Sequence, residues 1–158
     1  MNAVNILKAV YYLYTRVSQK QFDMATYRRG PKIDCKARVC NSVGCGAGHL
    51  TTIMPERMII RANSTIDFYD TVLSALDIDD KHFIYLFASS WKCIDNTVNG
   101  MCQRLLYMLE NPKAEYFSTL VIIADIGYKA KAKAKAKAEY SNIDIPTTYN
   151  RLKAKYEK

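Results

Sequence analysis

Cys35, Cys40, Cys45 and His49 fall in one short stretch, interleaved with Gly44, Gly46 and Gly48. Three thiolates and an imidazole are the donor set of a tetrahedral zinc site. Their spacing argues against one, because structural sites use close pairs, whereas here successive ligands lie five, five and four positions apart. Were 40–50 one helix, its 100° step would set Cys40 and Cys45 about 140° apart, and Cys40 and His49 about 180° apart. Only Cys45 and His49 share a helical face, and an imidazole one turn from a thiol can activate it as a nucleophile. Asp95 and His82 are the candidate third members of such a constellation. The competing reading is that cysteines among glycines are small core residues.

The glycines carry no phosphate-binding signature, since no apolar strand leads in and no Gly-Lys-Ser/Thr follows. Three of them in a helix would cost about 1 kcal/mol each relative to alanine. They leave a flat face, expected to receive bulky side chains from a neighbouring helix, with Phe87 and Trp91 as candidates.

A second chemistry lies just upstream. Tyr27, Arg28, Arg29, Lys32, Lys36 and Arg38 surround Gly30-Pro31, a pair that breaks any helix and exposes the turn. Cations with one ring suit phosphate contacts and a stacked base, or simply form a solvated loop.

The elements that must position these residues read as helices. Val4, Leu7, Val10, Tyr11, Tyr14 and Val17 recur at steps of three and four, so 3–18 is an amphipathic helix whose tyrosines are expected in the core. Asn63, Ser64 or Thr65 precedes a helix with Ile66, Tyr69, Val72, Leu73 and Leu76, ending near Ile78. Asp79-Asp80 opens the next, expected to bury Phe83, Ile84, Phe87 and Trp91. Asp95-Asn96-Thr97 caps a third, in which Val98, Met101, Cys102, Leu105, Met108 and Leu109 keep helical spacing up to Asn111-Pro112. Residues 115–126 fit either a buried helix or a minor strand, given Val121-Ile122-Ile123.

The expectation is therefore a mainly α, compact single-domain bundle of short helices. A globular part over 1–128 precedes a Lys-Ala low-complexity segment at 129–138 and a basic tail or helix at 139–158. The repeat offers only alanine methyls and like charges, so it is expected to face water. Its lysines make it a charge brush for an anionic partner or a tolerated expansion.

Composition sets the outer limits. The chain has 158 residues, 49% of them hydrophobic and 24% charged, which is globular. Its net charge of +8 divides into +6 over 1–60, −3 over 61–120 and +5 over 121–158, placing cationic surface at both ends. Five cysteines form no even framework and no signal peptide is legible, so reduced thiols in a cytoplasm are expected. No apolar run reaches the roughly 20 residues needed to span a bilayer.

Two blocks of the chain, over residues 22–110, resemble small uncharacterised tailed-bacteriophage proteins. The first is Cys40-Asn-Ser-Val-Gly-Cys45-Gly-Ala-Gly48-His49; the second is Leu86-Phe87, Trp91, Asp95-Asn96-Thr97, Gly100 and Arg104. The resemblance implies a phage context only and carries no activity; with reduced thiols, the expected setting is the host cytoplasm. By analogy the resemblance favours an accessory protein that binds a host macromolecule, most readily a protein. Nucleic-acid binding through the basic loop and the lysine repeat is the alternative, and a Cys45/His49 thiol enzyme is the third. No cofactor is implied, and the oligomeric state is open.

Overall fold

The N-terminal helix α1, Ala3–Arg16, begins where Asn2 turns its side chain onto the Asn5 N–H at 3.0 Å, closing one of the donors a helix start leaves open. It buries Ile6, Leu7, Ala9, Val10 and Leu13. The computed structural model of the chain describes residues 1–24, 28–29, 43–44, 46–50, 53, 68–88, 91–114 and 130–157. The architecture is mainly α, as expected. The segment 115–126 lies outside the described residues.

After a single 3₁₀ turn at Gln19–Gln21, β1 (Arg28–Arg29) pairs antiparallel with β2 (Val43–Gly44), Arg28 opposite Gly44 and Arg29 opposite Val43. The short helix α2, Gly46–Leu50, follows, and α3 spans Phe68–Leu76. The helical wheel drawn over 40–50 therefore applies only from Gly46 onward, because Val43 and Gly44 are extended.

Helix α3 ends in a left-handed residue. Asp77 has φ 50°, a conformation that costs aspartate less than most residues, and the Ile78 N–H reaches back to the Leu73 carbonyl at 3.1 Å. The Asp77 carboxylate meets the Met1 ammonium at 2.7 Å.

Helix α4, Asp80–Phe87, is capped by Asp79, whose carboxyl accepts from the His82 N–H at 2.9 Å and faces its ring Nδ1 at 2.6 Å. The His82 backbone N–H holds that carboxyl below the ordinary aspartate range. Contrary to expectation, Ile84 is 46% exposed and the buried residues are Tyr85, Leu86 and Phe87. Trp91 opens a separate helix, α5 (Trp91–Ile94), because the chain leaves α4 at Ala88 in extended geometry.

The central element is α6, Val98–Glu110, capped by Thr97, with every apolar residue expected in its core face buried. It packs against α1 and α8 (Ile145–Tyr156). Between them the Lys-Ala repeat forms α7, Ala130–Ala138. The water-facing expectation for the repeat fails at one position: Ala136 is fully buried, as is Tyr140 just beyond it. A methyl group is small enough to let α7 lie close to α5. Ile145 and Leu152 of α8 join the same core as α1 and α6.

Helix α1 departs from expectation as well. Tyr11 and Tyr14 are not core residues but are 52% and 45% exposed. The buried stripe is centred on Ile6, Val10 and Leu13, and the two tyrosines fall outside it, Tyr11 beside Tyr149 of α8.

Candidate functional site

The second motif block converges in space. Trp91 from α5, Asp95 from the α5–α6 turn, and Thr97, Gly100 and Arg104 from the first turns of α6 form one cluster, joined by Lys137 and Tyr140 from the repeat and its exit. Thr97 does two jobs there. Its hydroxyl accepts from the Gly100 N–H at 2.9 Å, as the helix cap, and donates to Asp95 Oδ1 at 2.5 Å.

Gly100 is required by this geometry. A Cβ on it would sit 2.7 Å from Asp95 Oδ1 and closer still to Oδ2. The Asp95 carboxylate thus occupies space that any other residue at 100 would fill, at the end of α6 where the helix dipole favours an anion.

Charge is balanced along a chain of contacts. The Arg104 guanidinium is wholly buried, 4.0 Å above the Trp91 ring centroid and 5.5 Å from that of Tyr140. It donates to the Tyr140 hydroxyl at 3.5 Å and approaches the Met101 and Met24 sulfurs at 3.5 and 3.9 Å. Its Nε has no hydrogen-bond partner among the described residues. The Tyr140 hydroxyl donates in turn to Asp95 Oδ2 at 3.0 Å, and Lys137 Nζ stands 3.9 Å from the same oxygen. Burial pushes the Tyr140 phenol up, so it remains a donor across the working pH range.

Trp91 and Arg104 are sealed from solvent and Asp95 is 4% exposed. The cluster therefore works as an internal clamp that fastens α5 and α7 to the start of α6. The Trp91 indole N–H closes its own end on the Tyr85 carbonyl at 2.6 Å. Asn96, between Asp95 and Thr97, anchors the 3₁₀ segment: it accepts from the Met24 N–H at 2.8 Å, while its carbonyl takes the Gln19 amide at 2.7 Å.

The first motif block is represented by α2, whose five residues are all buried. The close-packing expectation holds at Gly46, but the side chain received is Met101 of α6, not Phe87 or Trp91. A Cβ at 46 would lie 2.9 Å from the Met101 sulfur. Methionine is flexible enough to yield to one methyl, so Gly46→Ala should be mild. Gly46→Leu should cost about 1–3 kcal/mol or more by overpacking, read from the denaturant midpoint; a leucine variant as stable as the parent would show that α2 is loosely held.

Among the proposed site residues, His49 is 1% exposed, with Nε2 2.7 Å from the Gln21 carbonyl and its ring lying nearly parallel to Phe22 at 6.4 Å. Cys35, Cys40, Cys45, Tyr27, Lys32, Lys36 and Arg38 lie outside the described residues, and of Arg28 and Arg29 only the backbone is described. Of the two candidate third members, Asp95 is held by Thr97 and Tyr140, and His82 sits on Asp79. Among the described residues no group of three or more His, Cys, Asp or Glu side chains is placed to hold a metal. Cys102, whose thiol reaches the Val10 carbonyl at 3.9 Å, is pushed up to about 12 by burial and is a core residue.

Two surfaces remain. A depression of about 570 Å³ is lined by Met1, Asp77, Ile78, Asp79, His82 and Pro112, and its charged groups are already paired within it. On the other surface, α1 and α8 pack side by side, and Tyr11 meets Tyr149 with ring centroids 6.2 Å apart. Neither helix contains an aspartate or glutamate, while Lys8, Arg16, Arg151, Lys153 and Lys155 are all exposed. Periodicity alone hides this side of the pair, because steps of three and four also run through Tyr11 and Tyr14; the tight grouping of Ile6, Leu7, Val10 and Leu13 is the signal that places them outside.

Among the described residues no helix is long and apolar enough to cross a membrane. No protein-family model matches the chain, and neither does any curated protein or solved structure.

Proposed function

We propose that the protein works by binding an anionic macromolecule through its cationic helix surface. The observation that carries this reading is the pairing of α1 with α8: two neighbouring helices with five exposed cations and no acid within either. Of the five, Arg151 is engaged by Glu110 of α6, which leaves Lys8, Arg16, Lys153 and Lys155 for a partner, with Lys153 only loosely held by Glu157 at 3.9 Å. Exposed charge of one sign raises the local concentration of an oppositely charged partner and speeds its capture. The resemblance of the two motif blocks to tailed-phage proteins supports a target in the host cytoplasm.

The test is retention of the full chain on immobilised heparin and on immobilised polyglutamate, against a Lys153→Glu/Lys155→Glu variant. Retention at low salt that the charge-reversed variant loses is expected. Passage of the parent straight through both matrices, or retention indifferent to the reversal, would refute the reading.

A further inference from the structure

Resting on that reading, we infer that the anionic partner is single-stranded nucleic acid, lying along the α1–α8 face with bases stacked on Tyr11 and its neighbours. The residues that distinguish this face from a merely basic one are its rings. Tyr11 and Tyr14 are about one helical turn apart on α1 and about half exposed, at 52% and 45%. Tyr149, half-buried against the core, meets Tyr11 from α8 at an interplanar angle of 32°, bringing two rings together across the helix pair.

The cations are interleaved with the rings, not set apart from them. Lys153 follows Tyr149 by one turn of α8, its ammonium 5.9 Å from that ring centroid, so it belongs to the same side of the helix as the ring pair. On α1, Lys8 precedes Tyr11 by three residues and so lies on the same side of the helix, whereas Arg16, two residues past Tyr14, lies on the opposite side. Alternating cations and ring faces match a chain in which phosphates alternate with bases.

An acidic peptide would use the cations and leave the rings idle. A duplex would use the cations but present no base face to a ring, since its bases are stacked on one another. Only an unpaired strand engages both sets, with stacking that is indifferent to sequence because every base has a π-face.

The experiment is fluorescence anisotropy of the full chain with labelled oligothymidylate, the corresponding duplex and labelled polyglutamate. Oligothymidylate should bind more tightly than the other two. Its affinity should fall with salt at a logarithmic slope of about −0.7 per phosphate contact. Tyr11→Ala removes an exposed ring without opening the core and should weaken oligothymidylate about tenfold, with Tyr11→Phe restoring it. Tyr149→Leu removes the ring while leaving an apolar side chain against the core and should weaken it similarly. Lys153→Ala should reduce the salt slope by about 0.7.

If polyglutamate binds as tightly and the tyrosine variants change nothing, the face takes an acidic protein, and the inference falls while the proposed function stands. Equal binding of duplex and single strand would likewise overturn it. Absence of binding to all three probes would overturn both.

Discussion

Gly100→Ala should destabilise the protein by about 3 kcal/mol or more, although alanine is ordinarily the better helix former by about 1 kcal/mol. The reason is local. A methyl at 100 would occupy the position of the Asp95 carboxylate, which is buried and tied down by Thr97 and Tyr140. Moving it would break two hydrogen bonds and draw the carboxylate away from Lys137. A double-mutant cycle isolates the cause. In an Asp95→Ala background the collision is gone, and Gly100→Ala should become neutral or stabilising. If the penalty persists there, crowding by Asp95 is not its origin. Denaturant melts with unchanged m-values provide the measurement.

The second large effect is an asymmetry between the two buried charges. Asp95→Ala should cost about 3–5 kcal/mol, because it strips the anion from a sealed cluster that still holds Arg104. Arg104→Met should cost about 1 kcal/mol or less. In that variant the cation and its desolvation leave together, methionine packs among Met24, Met101 and Trp91, and Asp95 keeps Thr97, Tyr140 and Lys137. The two substitutions should also be coupled, Asp95→Ala being cheaper once Arg104 is gone. Comparable losses for both single variants would mean that the stacking of Arg104 on Trp91, and not charge balance, holds the cluster together.

How far the fold could be read in advance depended on the range of the interaction involved. Caps are local, so Asp79 and Thr97 were legible from three residues of context, and the spacing of Val98 to Leu109 announced the buried face of α6. The order of the second motif block was legible too, but not its reason. That Gly100 makes room for Asp95 depends on a turn of backbone, and that Tyr140 completes the cluster depends on a contact spanning 45 positions. No periodicity encodes such a contact. Tyr11 and Tyr14 differ from expectation because a stripe of three- and four-residue steps can be drawn through Leu7, Val10, Tyr11 and Tyr14 as easily as through Ile6, Leu7, Val10 and Leu13; only the packing of α6 and α8 chooses between them.

The burial of Ala136 has a consequence for how the Lys-Ala repeat can vary. Tandem dipeptides invite replication slippage, and a repeat in free solvent would tolerate gain or loss of a unit. Here the register is pinned at Ala136 and Lys137, with Tyr140 anchored immediately after. One added unit between Lys137 and Tyr140 would advance the helix by about 3 Å and turn it by about 200°, carrying the tyrosine away from Asp95. A unit added before Ala136 leaves that docking intact. From Ala136 onward the register of the repeat is thus frozen by the core.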